Sequence, residues 1–118
     1  MIRTVVADDH DVVRKGVLYL LSQEADIEVA GEASDGREAV RLGESLKPHV
    51  LIMDIAMPQL NGIDAAAQLA AAAPGTAIIL LSMYSEEEFM IRALNAGVRG
   101  YLLKDSAEAD LIRAVRAV

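Results

Sequence analysis

The chain has 118 residues, which fits one domain and leaves no room for two. It carries 18 acidic and 11 basic side chains, a formal charge of -7, which argues against nucleic-acid contact by this segment because phosphate binding needs a basic face. Apolar residues make up 53%, ample for a core, aromatics only 3%, and the absence of Cys excludes disulfides, thiolate zinc sites and Cys nucleophiles.

Short aliphatic runs alternate with longer amphipathic segments. Ile2–Ala7 is rich in β-branched residues and stops at two acids, Asp8 and Asp9. Residues 11–23 place Val13, Val17, Leu20 and Leu21 at helical spacing, with Arg14 and Lys15 on the other face. Ile27–Ala33 alternates like a partly exposed strand. Asp35 is placed to cap the next helix, with Glu38 at the third helical position, and Pro48 halts that helix near Leu46. Residues 50–53 form a third apolar run, again ending in an acid, Asp54. Pro58 and Asn61-Gly62 mark a loop, and a helix follows over 63–73, stopped by Pro74 and Gly75. The fourth run, 76–81, ends at Ser82. Ser85-Glu86-Glu87-Glu88 reads as a capping box for a helix over 86–96 that Gly97 closes, its acids favourable at the helix N-terminus. The fifth run, 98–103, ends at Lys104, and Ser106 is placed to cap a last helix reaching Val118.

Five such units predict a doubly wound α/β fold. Uniformly apolar strands suit a parallel sheet covered by helices on both faces. With right-handed crossovers, the natural arrangement is a five-stranded parallel sheet in flavodoxin-like order 2-1-3-4-5, with five helices. The longest apolar stretch, 77–81, is far short of the roughly 18 residues of a membrane span. The acids at Asp8-Asp9 come too early for a secretory leader, so a single cytoplasmic domain is expected.

That fold gathers Asp8, Asp9, Asp54, Ser82 and Lys104 at the carboxyl edge of the sheet, where ligands bind. Each has an ordinary reading: an Asp at a strand–helix junction often only caps the helix, Asp54 suits a turn, and Ser82 and Lys104 suit polar strand ends. Their joint occurrence at one edge is what carries the argument. Three neighbouring carboxylates need a counter-charge, and oxygen ligands without Cys point to a hard divalent ion, Mg²⁺ or Mn²⁺. Acids, a hydroxyl and a lysine together make a phosphoryl-transfer site. His10 reads as a solvated residue at a helix start, because hard-ion sites favour oxygen. Met53, Met57, Met83 and Met90 read as core or loop packing.

The segments Val5-Val6-Ala7-Asp8-Asp9, Leu51-Ile52-Met53-Asp54-Ile55-Ala56-Met57-Pro58 with Asn61-Gly62, Leu80-Leu81-Ser82, and Gly100-Tyr101-Leu102-Leu103-Lys104 resemble the receiver domain of two-component response regulators, over the whole chain. The resemblance implies that Asp54 accepts a phosphoryl group from a sensor histidine kinase. It implies that Asp8, Asp9, Asp54 and the Ala56 carbonyl hold Mg²⁺, Asp9 directly and Asp8 through water. It makes Lys104 and Ser82 the partners of the phosphoryl oxygens, and Tyr101 the aromatic whose rotamer follows Ser82. The implied role is a phosphorylated signalling switch without independent enzymatic turnover.

Many receivers have Pro after the lysine; here Asp105 and Ser106 follow. The run 101–106, with Val29-Ala30-Gly31-Glu32-Ala33 and Leu81-Ser82-Met83-Tyr84, is similar to receivers that precede a LuxR-type helix-turn-helix domain. A DNA-binding output domain, not contained in residues 1–118, is therefore expected in the full-length protein, with transcription regulation as its role and a stand-alone or degenerate receiver as the alternative. Homodimerisation on phosphorylation is common in the family, and Val12, Val13, Leu111, Val115 and Val118 are candidates for a patch on the first and last helices, with about half of them expected from periodicity to be ordinary core facing the sheet. Ala56 and Tyr84 flank the route of an attacking water, and Tyr84 is expected to slow phosphate loss.

Two rival classes fare worse. A haloacid-dehalogenase-type phosphohydrolase needs a second acid two residues after its nucleophile, and position 56 is Ala. A nucleotide or flavin binder needs a phosphate loop after strand 1, where Asp8-Asp9-His10-Asp11 repels anions.

Overall fold

The computed structural model describes residues 1–57, 59–83, 87–104 and 107–118, with side chains in the last stretch from Ala109 onward. Its elements in chain order are β1 (Ile2–Ala7), α1 (Asp11–Ser22), β2 (Ile27–Ala33), α2 (Gly36–Leu46), β3 (Val50–Asp54), α3 (Gly62–Ala72), β4 (Ala77–Ser82), α4 (Glu87–Asn95), β5 (Gly100–Leu103) and α5 (Ala107–Ala117). The strands form one sheet in the order β2-β1-β3-β4-β5. Every pairing is parallel, as the alternation of strand and helix requires.

Alternation along each strand splits the core in two. Val5, Leu51, Met53, Ile78 and Leu80 face α2, α3 and α4 through Ala39, Leu69 and Ala93. Val6, Ile52, Ile79 and Leu81 face α1 and α5 through Val17, Leu21, Leu111 and Val115. β3 and β4 are buried throughout because helices cover both sides. The edge strand β5 is only half-buried.

Local chemistry explains the helix ends. The Asp35 carboxylate accepts the Glu38 amide at 2.8 Å, as its position in the sequence predicts. Asn61, read from sequence as part of a loop, instead caps α3 by accepting the Asp64 amide at 2.9 Å. After α4, Gly97 takes φ +98, Gly97 N–H reaches the Leu94 carbonyl and Val98 N–H reaches that of Ala93. This pair of bonds satisfies the last carbonyls of the helix, and it needs a residue tolerant of positive φ. The proposed capping residues Ser85 and Ser106 lie outside the described residues.

Leu111 and Val115 are fully buried core residues, in line with the expectation that about half of the suggested patch faces the sheet; Val12 and Val118 are exposed and Val13 is half-buried. Met53 and Met57 are core, whereas Met83 and Met90 are exposed. No helix among the described residues is long and apolar enough to cross a membrane.

Candidate functional site

Each strand end delivers its residue to the same edge by a hydrogen bond at or just beyond the ladder. The Asp8 amide bonds the Ala33 carbonyl at 3.0 Å, carrying the β1–β2 pairing one residue beyond the strand. The Ile55 amide bonds Leu81, and the Gly62 amide returns to the Ile55 carbonyl at 2.8 Å. This folds the β3–α3 connection tightly onto Asp54. A Cβ on Gly62 would run into the Asp54 carbonyl oxygen, so only glycine allows the approach. The Lys104 amide bonds the Ser82 carbonyl at 2.8 Å, aligning the ends of β4 and β5.

Asp8 and Asp54 are each only 2% exposed, and Asp9 lies at the rim. Lys104 Nζ stands 3.1 Å from Asp54 Oδ2 and 3.6 Å from Asp8 Oδ2. Burial pushes the Asp54 carboxyl above its ordinary pKa, and the charge of Asp8 adds to the push. Lys104 and the Ala56 backbone amide pull against it without cancelling it. The site is thus short of positive charge.

The donor set suits a hard divalent cation. Asp8 Oδ2 and Asp54 Oδ2 are buried without a well-formed hydrogen bond, Lys104 contributing proximity more than geometry. Asp8, Asp9, His10 and Asp54 can each present one ligand atom, all within 4.8 Å of one another. A shared cation would satisfy the unbonded lone pairs and the charge deficit together.

Above the acids lies a cleft of about 50 Å³ lined by His10, Asp54, Ile55, Ala56, Ser82, Met83 and Lys104. Its size suits one small anionic group and falls far below the roughly 300 Å³ at which pockets for nucleotides and similar ligands begin. A roomier cavity, about 320 Å³, lies at the opposite end of the sheet among 47–49 and 72–76. That cavity contains no acid, and its Thr76 hydroxyl is already engaged with the Pro48 carbonyl. Volume alone is therefore a poor guide here; the chemistry sits in the smaller space.

The structure brings together Asp8, Asp9, Asp54, Ser82 and Lys104, as the strand-end pattern predicts, with Ala56, which the resemblance alone added, lining the same cleft. Tyr101 stands apart, half-buried against the core on the α2–α4 side. It shares a face of the sheet with Ser82, because it pairs with Leu80, two residues before Ser82. Neither Asp8 nor Asp9 caps α1: the capping position belongs to His10, and the Asp8 carboxylate accepts the His10 amide instead. Tyr84, Pro58, Asp105 and Ser106 lie outside the described residues.

Two residues do more than their sequence reading gave them. His10 is exposed at the start of α1, as read, but its Nδ1 also lies 3.2 Å from both Asp8 Oδ1 and Asp9 Oδ1. Arg14, assigned with Lys15 to the solvent face, has a side chain only 13% exposed. It bonds the Asp8 carbonyl at 2.7 Å, Glu32 at 3.0 Å and Asp11 at 2.7 Å. The signal for Arg14 was its place one turn after the acids, with Glu32 at the end of the neighbouring strand; helical spacing alone does not reveal it.

Residues 4–116 match the family model described as the response regulator receiver domain. The chain is 41% identical over 116 residues to the uncharacterized transcriptional regulatory protein YxjL of Bacillus subtilis, covering 98% of this chain and 53% of that protein. It therefore spans about half the length of such curated relatives. Among solved structures it is similar to the signal receiver domain of NarL from Mycobacterium tuberculosis, with TM-score 0.93, 36% identity, and 98% and 93% of the two chains covered. It is likewise similar to a LuxR-family two-component response regulator from Aurantimonas, with TM-score 0.94, 32% identity, and 99% and 84% covered.

Proposed function

Because the chain belongs to the response regulator receiver domain family, we propose that Asp54 is its phosphoacceptor, charged by a sensor histidine kinase. One observation carries this reading: Asp54 is a buried carboxylate with an ammonium 3.1 Å away and two further acids beside it, facing a cleft of phosphoryl size.

In the transfer an Asp54 oxygen attacks phosphorus, the P–O bond forms, and the P–N bond to the donor imidazole breaks. The imidazole leaves as it takes up a proton, and Asp54 becomes an acyl phosphate. Asp8, Asp9, Asp54 and the Ala56 carbonyl would hold Mg²⁺. Bound there, the ion supplies the positive charge that lets two anions meet. Asp8 Oδ1 already accepts the His10 amide, which supports direct contact through Asp9 and a water-mediated one through Asp8. Lys104 adds a fixed charge beside the phosphoryl oxygens, and the Ser82 hydroxyl donates to one of them. The Ala56 amide, directed at Asp54, is a further donor.

Phosphorylation adds about 1.5 to 2 negative charges and three acceptor oxygens. Ser82 is drawn toward them, and Tyr101, on the same sheet face, repacks into the volume released. The helix α4 and strand β5 then present an altered surface, a shift between two packings of one fold. The domain acts as a switch in the cytoplasm, with no turnover of its own substrate. In the full-length protein the output is a LuxR-type DNA-binding domain that regulates transcription, a reading supported by the length and names of the relatives. Homodimerisation on phosphorylation is part of the same proposal.

The test is incubation with a small phosphodonor and Mg²⁺, followed by intact mass. The wild type gains one phosphoryl group and Asp54→Asn gains none; labelling of both equally would sink the assignment.

A further inference from the structure

His10 is the feature that the phosphoryl-transfer roles leave unused. Its side chain is 59% exposed, yet the ring is turned over the acids. Nδ1 lies 3.2 Å from Asp8 Oδ1, 3.2 Å from Asp9 Oδ1 and 3.9 Å from Asp54 Oδ2. A single N–H can point at one of these carboxylates, not at all three. The 3.2 Å contact to Asp8 Oδ1 is a hydrogen bond, and a cation shared with the carboxylates would take its place.

The spacing fits such an ion. Neighbouring donors bonded at about 2.0–2.2 Å to one first-row divalent metal stand roughly 3.0–3.5 Å apart. His10 Nδ1 keeps that separation from Asp9 Oδ1, the carboxylate given direct contact with the ion. A second observation points the same way: Asp8 Oδ2 and Asp54 Oδ2, on the buried floor of the cluster, form no hydrogen bond among the described residues and share the single Lys104 ammonium, at 3.6 and 3.1 Å, as their counter-charge.

We propose that His10 is an additional protein ligand, beside the carboxylates, that makes this edge a site for a zinc-class divalent cation. The proposal rests on the reading of Asp8, Asp9 and Asp54 as a divalent-ion site. Imidazole favours borderline ions such as Zn²⁺ and Co²⁺, whereas Mg²⁺ prefers oxygen and keeps its waters. His10 therefore strengthens zinc binding and leaves magnesium binding nearly unchanged. Zinc held this way competes with magnesium for the same carboxylates.

The experiment titrates metal-free protein with Mg²⁺ and with Zn²⁺ by calorimetry, and follows Co²⁺ by its visible absorption as a report on nitrogen ligation. Variants are His10→Ala and, as a control for the other histidine, His49→Ala. His10→Ala removes an exposed ring and keeps the backbone amide that bonds Asp8, so the fold is retained. The expected result is zinc binding weakened about tenfold or more in His10→Ala, the scale on which groups around a metal act. Magnesium affinity stays within about twofold across the three proteins, and His49→Ala matches the wild type. Equal zinc affinity in wild type and His10→Ala overturns the proposal while leaving the magnesium reading intact. Parallel loss of zinc and magnesium in His10→Ala overturns the selectivity. A wild type that binds neither metal overturns this proposal and the divalent-ion reading together.

Discussion

Arg14 Nη1 donates a 2.7 Å hydrogen bond to the backbone carbonyl of Asp8. The same guanidinium holds Glu32 at 3.0 Å and Asp11 at 2.7 Å. One planar fork thus ties the turn that carries the acids to α1 and to the end of β2. Arg14→Ala frees that turn, with expected losses of about 1–2 kcal/mol in stability and a clear weakening of Mg²⁺ binding. Arg14→Lys does not restore binding, because a single ammonium cannot serve three acceptors in a fixed plane. Denaturant melts and a magnesium titration check both; a lysine variant indistinguishable from wild type would refute the clamp.

Asp54 is held above its ordinary pKa by burial and by the charge of Asp8. The folded state therefore binds this proton more tightly than the unfolded chain does. The resulting destabilisation is absent below the unfolded value near 3.8, grows as pH rises toward the raised folded value, and is complete above it. Asp54→Asn removes it. Without metal at pH 7 the variant should be more stable than wild type by about 1 kcal/mol, the ordinary size of a single-residue change. Melts across the acid range should show the advantage shrinking toward pH 3, and Mg²⁺ should stabilise the wild type more than the variant.

Gly62 lies against the backbone of Asp54 and Ile55. Gly62→Ala forces a Cβ into the Asp54 carbonyl, at a cost of about 1–3 kcal/mol, the range for overpacking. The phosphoacceptor should shift with it, so phosphoryl uptake should fall more steeply than stability. Thermal melts and intact-mass time courses separate the two. Normal uptake in a destabilised variant would show that the contact supports the fold alone.

Ser82 and Tyr101 share a sheet face, and the proposed switch couples them. Side-chain resonances of Tyr101 should shift when beryllofluoride and Mg²⁺ are added to the wild type. In Ser82→Ala the shift should be largely lost while the anion still binds. Tyr101 spectra that respond equally in both proteins would separate the tyrosine from the hydroxyl.

The strand-end residues were legible because each lies where an apolar run stops, and topology then decides that four stops meet. The helix caps were only partly legible. Asp35 carried its partner Glu38 three residues on, whereas Asn61-Gly62 has the composition of a turn, so the helix after it was read but not that Asn61 caps it. Leu111 and Val115 show why a periodic stripe cannot be divided between core and partner surface without knowing which side meets the sheet.

The sequence alone determined the alternation of strands and helices, the parallel sheet and the identity of the acids, hydroxyl and lysine at its edge. These follow from local periodicity and from the few topologies that right-handed crossovers permit. Only the tertiary structure decided that Arg14 turns inward to the Asp8 carbonyl, that His10 leans over three carboxylates, and that Ser82 and Tyr101 share a face. Such facts depend on side-chain direction and on neighbours remote in the chain, and a one-dimensional pattern of apolar and polar residues carries neither.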